Sequence, residues 1–334
     1  MMTLIFRRLL ALPVILMVVY TITLTLAWAV PGNPLENPEK RPKPEVIAQM
    51  NKQYNLDSFP RFYVSYLTSA TGIKYASDWF SGRIEREKEL SIEQGVPMLE
   101  RPIFDLGPSL KYDDQTVNGI IRDTLPVSVT LGASAILIAL FIGVGAGVIG
   151  AIKPNSLTDL STLAVSMIGI SLPSFVIGTV LLLTFSLWLG WFPIAQWGTP
   201  KSIVLPAFAL SLPFAAYIAR LTRMGMIDAL GADYIRTARA KGSPERSVLF
   251  KHALKNAFLP VLSFLGPATA MAMTGSFVIE RVFTVPGMGE HFVNAVQNKD
   301  LFLIIGVVLV FATMLIMFNL IVDVLYKWID PRIS

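Results

Sequence analysis

Six stretches of this chain contain no Asp, Glu, Lys or Arg: residues 9–35, 125–152, 160–200, 202–219, 256–279 and 301–322. A helix on a soluble core keeps charged residues on its solvent side, so uncharged runs of this length have little reason to exist in water. Crossing a hydrocarbon layer of ~30 Å takes about 20 helical residues, which makes each run a candidate span. The run 202–219 must extend a little toward Arg220 to reach that length. The run 160–200 has 41 residues and has room for two spans, but only with almost no turn between them and with the basic stretch 220–255 left outside. Six spans is the preferred count, and the expected fold class is an all-α polytopic membrane protein. Composition agrees, because charged residues make up 15% of the chain where soluble domains carry ~25%. The absence of cysteine excludes disulfides, thiolate nucleophiles and cysteine-ligated metals. His252 and His291 are too few for a histidine-rich metal site.

Orientation follows from the distribution of basic residues. Arg7 and Arg8 precede the first run, and 220–255 carries eight Lys/Arg against three Asp/Glu, a net of +5. Both are expected on the cytoplasmic side, with both chain termini. The organisation is then a first transmembrane helix in 1–30, an external region in 31–123, a five-helix core in 124–327 and a cytoplasmic tail in 328–334. Ala27-Trp28-Ala29 also imitates a signal-cleavage site, but the apolar run is longer than a usual signal core, so a retained helix is favoured. The region 31–123 has twelve Lys/Arg and fourteen Asp/Glu and is too long for a simple connection. Val46–Met50 is expected to begin a short helix. Tyr54, Phe59, Phe62, Tyr63 and Tyr66 read as packing anchors, and Arg83–Glu89 as solvated surface. Thr124 suits a helix cap, with Pro126 in the first turn of the second span.

The richest local signal is 228–258. Asp233 suits an N-cap before Tyr234, Ile235, Arg236, Thr237, Ala238, Arg239, Ala240 and Lys241, and Gly242 suits the position after the helix end. Ser243 suits the cap of a second helix, with Pro244 at its first position and Glu245 at the positive end of its dipole. Arg246 and His252 belong to that second helix, which runs almost directly into Leu259-Pro260 and the fifth span. Two short capped helices joined at a glycine form a protrusion able to pass a push into the membrane. Taken alone, the pair is equally well an ordinary connector.

The wording of the chain resembles the membrane permease subunits of the peptide and nickel branch of binding-protein-dependent ABC importers, particularly the first of the two oligopeptide permease subunits. The resemblance rests on Val30–Pro34, Phe104–Tyr112, Leu125–Ser128, Asp233–Gly242, His252–Pro260, Val285–Gly289 and Asp330–Arg332, and so covers nearly the whole chain. It implies the type I ABC importer permease fold, with six transmembrane helices and an α-rich external insertion between the first two. It also implies partners: a second homologous permease subunit, two cytoplasmic ATPases that bind ATP and Mg, and an external peptide-binding protein that delivers the peptide. The coupling contacts to the ATPases would come from Asp233, Tyr234, Ile235, Arg236, Thr237, Ala238, Arg239, Lys241, Gly242, Ser243, Arg246 and His252. The broader importer family carries Glu-Ala-Ala, three residues and Gly in this loop. Here Arg236-Thr237-Ala238 precedes Gly242, which puts in doubt a salt bridge from the family's glutamate and leaves the bend.

Other features carry less. No G-x-x-x-x-G-K-[ST] loop is present, so ATP hydrolysis is not expected of this chain, and no cofactor, metal or nucleic acid is expected on it. Gly143, Gly145, Gly147 and Gly150 suit close helix packing rather than phosphate binding. Met271, Met273, Gly275 and Ser276 are candidates for lining a translocation path. Glu280 and Asp323 lie near the ends of apolar runs, where they are expected to reach water. A secondary transporter would need embedded ionisable relays, and a nonconducting scaffold is permitted by spans alone. The resemblance favours an oligopeptide importer in a bacterial inner or plasma membrane, with dipeptides, nickel or another small solute as alternative cargo.

Overall fold

The computed structural model describes residues 2–30, 44–94, 102–112, 115–274 and 276–329. The helices are α1 (Met2–Ala29), α2 (Pro44–Tyr54), α3 (Phe59–Ala70), α4 (Ile73–Phe80), α5 (Arg83–Gln94), α6 (Val117–Ile152), α7 (Leu157–Ser171) and α8 (Ser174–Leu181). They continue as α9 (Pro200–Leu230), α10 (Asp233–Ala240), α11 (Glu245–Ser247), α12 (Leu254–Ala257), α13 (Leu259–Met273), α14 (Phe277–Phe283), α15 (Met288–Gln297) and α16 (Leu301–Ile329). Wider π-helical turns extend α8 through Leu182–Trp188 and join α11 to α12 through Val248–Ala253. An isolated antiparallel bridge pairs Pro108 with Thr116.

Stretches of α1, α6, α9 and α16 are long and apolar enough to cross a membrane, and two bent helix pairs raise the number to as many as six. Large apolar side chains such as Phe141, Leu157 and Trp188 stand exposed on these helices, as expected where the solvent is lipid. The chain is a multi-pass, all-α membrane protein.

Several boundaries differ from those expected of the sequence. The run 160–200 is not one straight helix: α7 and the helix that follows it meet at 101°. Leu172 is extended because the ring of Pro173 disfavours a helical conformation in the residue before it. As expected, the second helix of the hairpin is distinct from the fifth span: 245–257 and α13 meet at 55°, at the place where Pro260 lacks an N–H to donate. α13 itself stops at Met273, short of the end of the apolar run. Thr124 does not cap the second long helix and Pro126 lies inside it, because α6 already begins at Val117, where Thr116 Oγ1 accepts from Gly119 N at 3.1 Å. A helix end and a membrane boundary need not coincide, and the charged first turns of α6 simply precede its apolar part. Likewise α9 runs past Arg220 to Leu230, so the first part of the basic stretch is helix rather than loop.

The contacts divide the chain into two compact units. The first comprises 124–290 with the two chain ends, up to residue 13 and from 311. In it α6 and α9 approach closely through small residues. A Cβ on Gly143 would lie 2.6 Å from the Ala215 carbonyl oxygen and one on Gly147 2.5 Å from Thr222, whereas Gly145, between them, faces open space. The four-residue spacing puts Gly143 and Gly147 on one helix face, which confirms packing as their purpose. Buried Asp159 accepts from Arg223 Nε and Nη2 at 2.5 and 2.6 Å and from Asn155 N at 2.8 Å, pinning the α6–α7 turn to α9. Arg8 pairs with Asp323 at 2.7 Å, bringing the beginning of α1 to the end of α16.

The second unit comprises 14–123 and 291–310. The expected aromatic anchors do pack: Tyr20 stacks on Tyr66, and Phe62 meets Trp28, Tyr66 and Phe302. α2 includes the expected helix start at Val46–Met50, and α5 carries the charged Arg83–Glu89 surface. Asp300 caps α16 by accepting from Leu303 N at 3.2 Å, and its other oxygen accepts from Ser109 Oγ at 2.5 Å and Leu110 N at 2.9 Å. The segments at 30–34 and 330–332 that contribute to the family resemblance extend outside the described residues, as does Gly275.

Candidate coupling hairpin and a buried carboxylate

Local backbone chemistry builds the hairpin at 233–257. α10 ends in a Schellman arrangement: Ser243 N donates to the Ala238 carbonyl at 3.2 Å and Gly242 N to the Arg239 carbonyl at 2.9 Å. Gly242 has φ +77°, a left-handed conformation that glycine adopts without strain. A Cβ there would meet nothing within 4 Å, so the requirement for glycine is conformational and not steric.

Both N-caps differ from those expected by one residue, in opposite directions. Asp233 is the first helical residue and Ala232 holds the cap position, while Pro244, with φ −65° and ψ 145°, holds it for α11 in place of Ser243. The fixed φ of proline serves an extended cap residue as well as a first helical turn.

The inner face of the hairpin is apolar. Ile235 and Ala238 are buried against Val248, Ala253 and Ala257, together with Val148, Met226 and Ala229. Asp233, Tyr234, Arg236, Thr237, Arg239, Lys241, Gly242 and Arg246 are exposed, while Ser243 and His252 are half-buried. Two polar ties cross between its arms, Arg239 Nε to Glu245 Oε1 at 2.8 Å and Asn256 Nδ2 to Tyr234 OH at 3.0 Å. Phe250, which the sequence reading passed over, is 59% exposed on the same element.

The candidate path residues are not gathered in the same way. Met271 is 66% exposed and Met273 half-buried. Ser276 caps α14, its Oγ accepting from Ile279 N at 3.4 Å.

Glu280 corrects the expectation that it reaches water, because its side chain is 0% exposed. Ser128 Oγ donates to its Oε1 at 2.9 Å and accepts from Met288 N at 2.8 Å, and Gly289 N donates to its Oε2 at 2.9 Å. The Val285–Gly289 turn wraps the carboxylate so closely that a Cβ on Gly287 would lie 2.5 Å from Glu280 Cδ. Burial pushes the Glu280 carboxyl above the usual carboxylate range, and the donors from Ser128, Gly289 and Glu290 pull it back only partly. Arg281, its neighbour, turns away to pair with Glu290 at 2.5 Å. Two of the segments carrying the family resemblance, Leu125–Ser128 and Val285–Gly289, are thus the two halves of one cradle. In the other unit Phe104–Tyr112 plays the same part around Asp300, whose carboxyl burial also raises.

The chain matches the family described as "Binding-protein-dependent transport system inner membrane component" over residues 143–334, which include the hairpin and Glu280. It belongs to that family. Among relatives of this inner membrane component, an oligopeptide transport system permease protein, OppB of Salmonella typhimurium, is 41% identical, covering 100% of this chain and 99% of its own. A dipeptide transport system permease protein, DppB of Bacillus subtilis, is 36% identical over 98% of this chain and 96% of its own. Among solved structures, an amino acid ABC transporter crystallised with histidines covers 63% of this chain and 94% of that one, at a TM-score of 0.49 and 15% identity. The family match begins after Ser128 and Ser109, but the full-length relatives extend over both.

Proposed function

We propose that this chain is the transmembrane permease subunit of an ATP-driven, binding-protein-dependent oligopeptide importer. The single observation that carries the reading is likeness along the entire chain to an oligopeptide permease, at 41% identity. In this reading a second permease subunit completes the path, an external binding protein delivers the peptide, and two cytoplasmic ATPases carry the ATP and Mg. The hairpin 233–257 docks on one ATPase through its exposed residues, while Ile235 and Ala238 hold it against the membrane helices. Met271, Met273, Gly275 and Ser276 are proposed for the path. ATP-bound and ATP-free ATPases must favour different permease states, and a rigid hairpin seated on the helix ends is the element able to convey that difference.

The same reading places six spans in a bacterial inner membrane, with both termini in the cytoplasm, 31–123 outside, the core in 124–327 and the tail at 328–334. The Arg8–Asp323 pair supports a common side for the two chain ends. The segment 31–123 and residues 291–300, which precede the sixth span and so lie outside in this topology, fall in one compact unit, and the basic hairpin falls in the other. Full-length likeness to a dipeptide permease favours dipeptides as the second reading of cargo. Reconstitution of the whole complex in proteoliposomes tests both. ATP-dependent uptake of tri- to pentapeptides is expected, and uptake confined to dipeptides would replace the first cargo reading with the second.

A further inference from the structure

The unit formed by 14–123 and 291–310 contains a cavity of about 380 Å³ that no part of the coupling hairpin or the Glu280 cradle uses. That is within the size range of small-molecule sites, roughly 300–1,000 Å³. Its wall includes the rings of Tyr54, Tyr66, Tyr75 and Phe302, together with Lys74 and Asp105. A second carboxylate in the wall, Asp78, is paired with Arg83 at 3.1 Å, so the lining combines an aromatic body with charges of both signs, of which Asp105 and Lys74 are the two outside that pair.

The polar groups of this wall are incompletely used. Asp105 is half-buried, and Oδ1 accepts from Gly107 N at 2.9 Å while Oδ2 accepts nothing among the described residues. Lys74 makes no ion pair among them either. The Tyr66 hydroxyl has no hydrogen-bond partner among the described residues although the residue is only 3% exposed, and a buried orphan of this kind calls for an explanation. Burial foremost raises the phenols of Tyr54 and Tyr66; the Asp105 charge adds to both, and Tyr20 and Asp300 add further at Tyr66. Negative charge is therefore felt among the rings. A carboxylate oxygen beside aromatic faces is chemistry suited to an ammonium group, and a free lysine at the same cavity suits a carboxylate.

We infer that this cavity is a low-affinity site for a short peptide with free termini, its ammonium toward Asp105, its side chain among the aromatic rings and its carboxylate toward Lys74. The inference rests on the peptide-import reading and deepens it: the permease itself would hold cargo on its outer face, apart from capture by the binding protein.

The test uses the permease–ATPase complex in lipid nanodiscs without its binding protein. Ala-Phe-Ala carrying fluorine on the ring is titrated in, and fluorine NMR line width is followed. Saturable broadening is expected for the wild type. Asp105→Asn, which keeps the acceptor for Gly107 N, and Lys74→Glu, which breaks no ion pair among the described residues, should each weaken binding about tenfold, as loss of a charge-assisted hydrogen bond does. Ser69→Trp, which fills the cavity, should abolish binding, and the N-acetylated, C-amidated tripeptide, which lacks both charges, should bind wild type more weakly than the free tripeptide binds either charge variant. Absence of saturable broadening, or broadening unchanged by both Asp105→Asn and Lys74→Glu, overturns the site. So does a result in which these variants alter only affinity for the binding protein, which would make the cavity a protein-docking pocket. ATP-driven uptake of the same tripeptide, measured separately with the binding protein present, tells failure of the import reading from failure of the site.

Discussion

The hairpin at 233–257 and the cradle around Glu280 belong to the same compact unit and solve opposite problems. The hairpin buries only apolar side chains and leaves its charges in solvent. Its shape depends on one backbone angle, at Gly242. The cradle buries a carboxylate and spends three backbone or hydroxyl donors to hold it. Exposed ion pairs such as Arg236–Asp233 contribute little to stability, whereas a buried donor left without its acceptor costs much. Surface changes should therefore affect the hairpin through function and leave the fold alone, while changes in the cradle should affect the fold first.

The largest effect is expected at the cradle. Glu280→Ala strands Ser128 Oγ and Gly289 N in a buried space and should cost about 3 kcal/mol, read as a lower melting temperature and a smaller yield of assembled complex in mild detergent. Glu280→Gln should be milder and should also change the pH profile. The Glu280 carboxyl titrates above its ordinary 4.5 in the folded chain, so its contribution is fully present below that value. That contribution is lost as pH rises through the raised value. The wild type should accordingly lose stability relative to Glu280→Gln over that rise, and a constant difference between the two would remove the burial argument.

Gly287→Ala comes next. Its new methyl would overlap the Glu280 carboxyl, and overpacking of this kind costs about 2 kcal/mol. A melting temperature equal to wild type would mean that the turn yields easily and the cradle is looser than described.

Phe250→Ala, on the hairpin, should change stability by less than about 0.5 kcal/mol yet weaken association with the ATPases. Co-purification at matched membrane levels measures this. Retention of the ATPases at wild-type levels would sharpen the comparison by moving the contact to the polar residues around Tyr234 and Arg246.

The contrast also accounts for what the sequence made legible. Uncharged runs identify membrane helices because length and apolarity are local properties, and the left-handed Gly242 is announced by the capped helix before it. The cap of α11 moved by one residue because proline suits either side of a helix boundary, and the cap of α10 moved by one because Asp233 is as well suited to the first helical turn as to the cap. The bend at Leu172-Pro173 was hidden by an apolar run that continues unbroken through it. Glu280 was misread because its burial is supplied by Ser128, 152 residues away, and by a turn whose glycines have no meaning until folded. The usable signal was present in the segments Leu125–Ser128 and Val285–Gly289, which carried the family resemblance without an explanation. Asp300 escaped for the same reason, its partner Ser109 lying 191 residues distant.

The central claim is that the hairpin passes ATPase movement into peptide transport, and Gly242→Val tests it most directly. A β-branched residue at φ +77° is strained by about 1–2 kcal/mol but meets no neighbour, so the complex should still insert and assemble while its docking surface is misdirected. In proteoliposomes matched for assembled complex, both peptide-stimulated ATP hydrolysis and ATP-driven uptake should fall well below wild type. Near-normal stimulation and uptake from that intact complex would contradict the account.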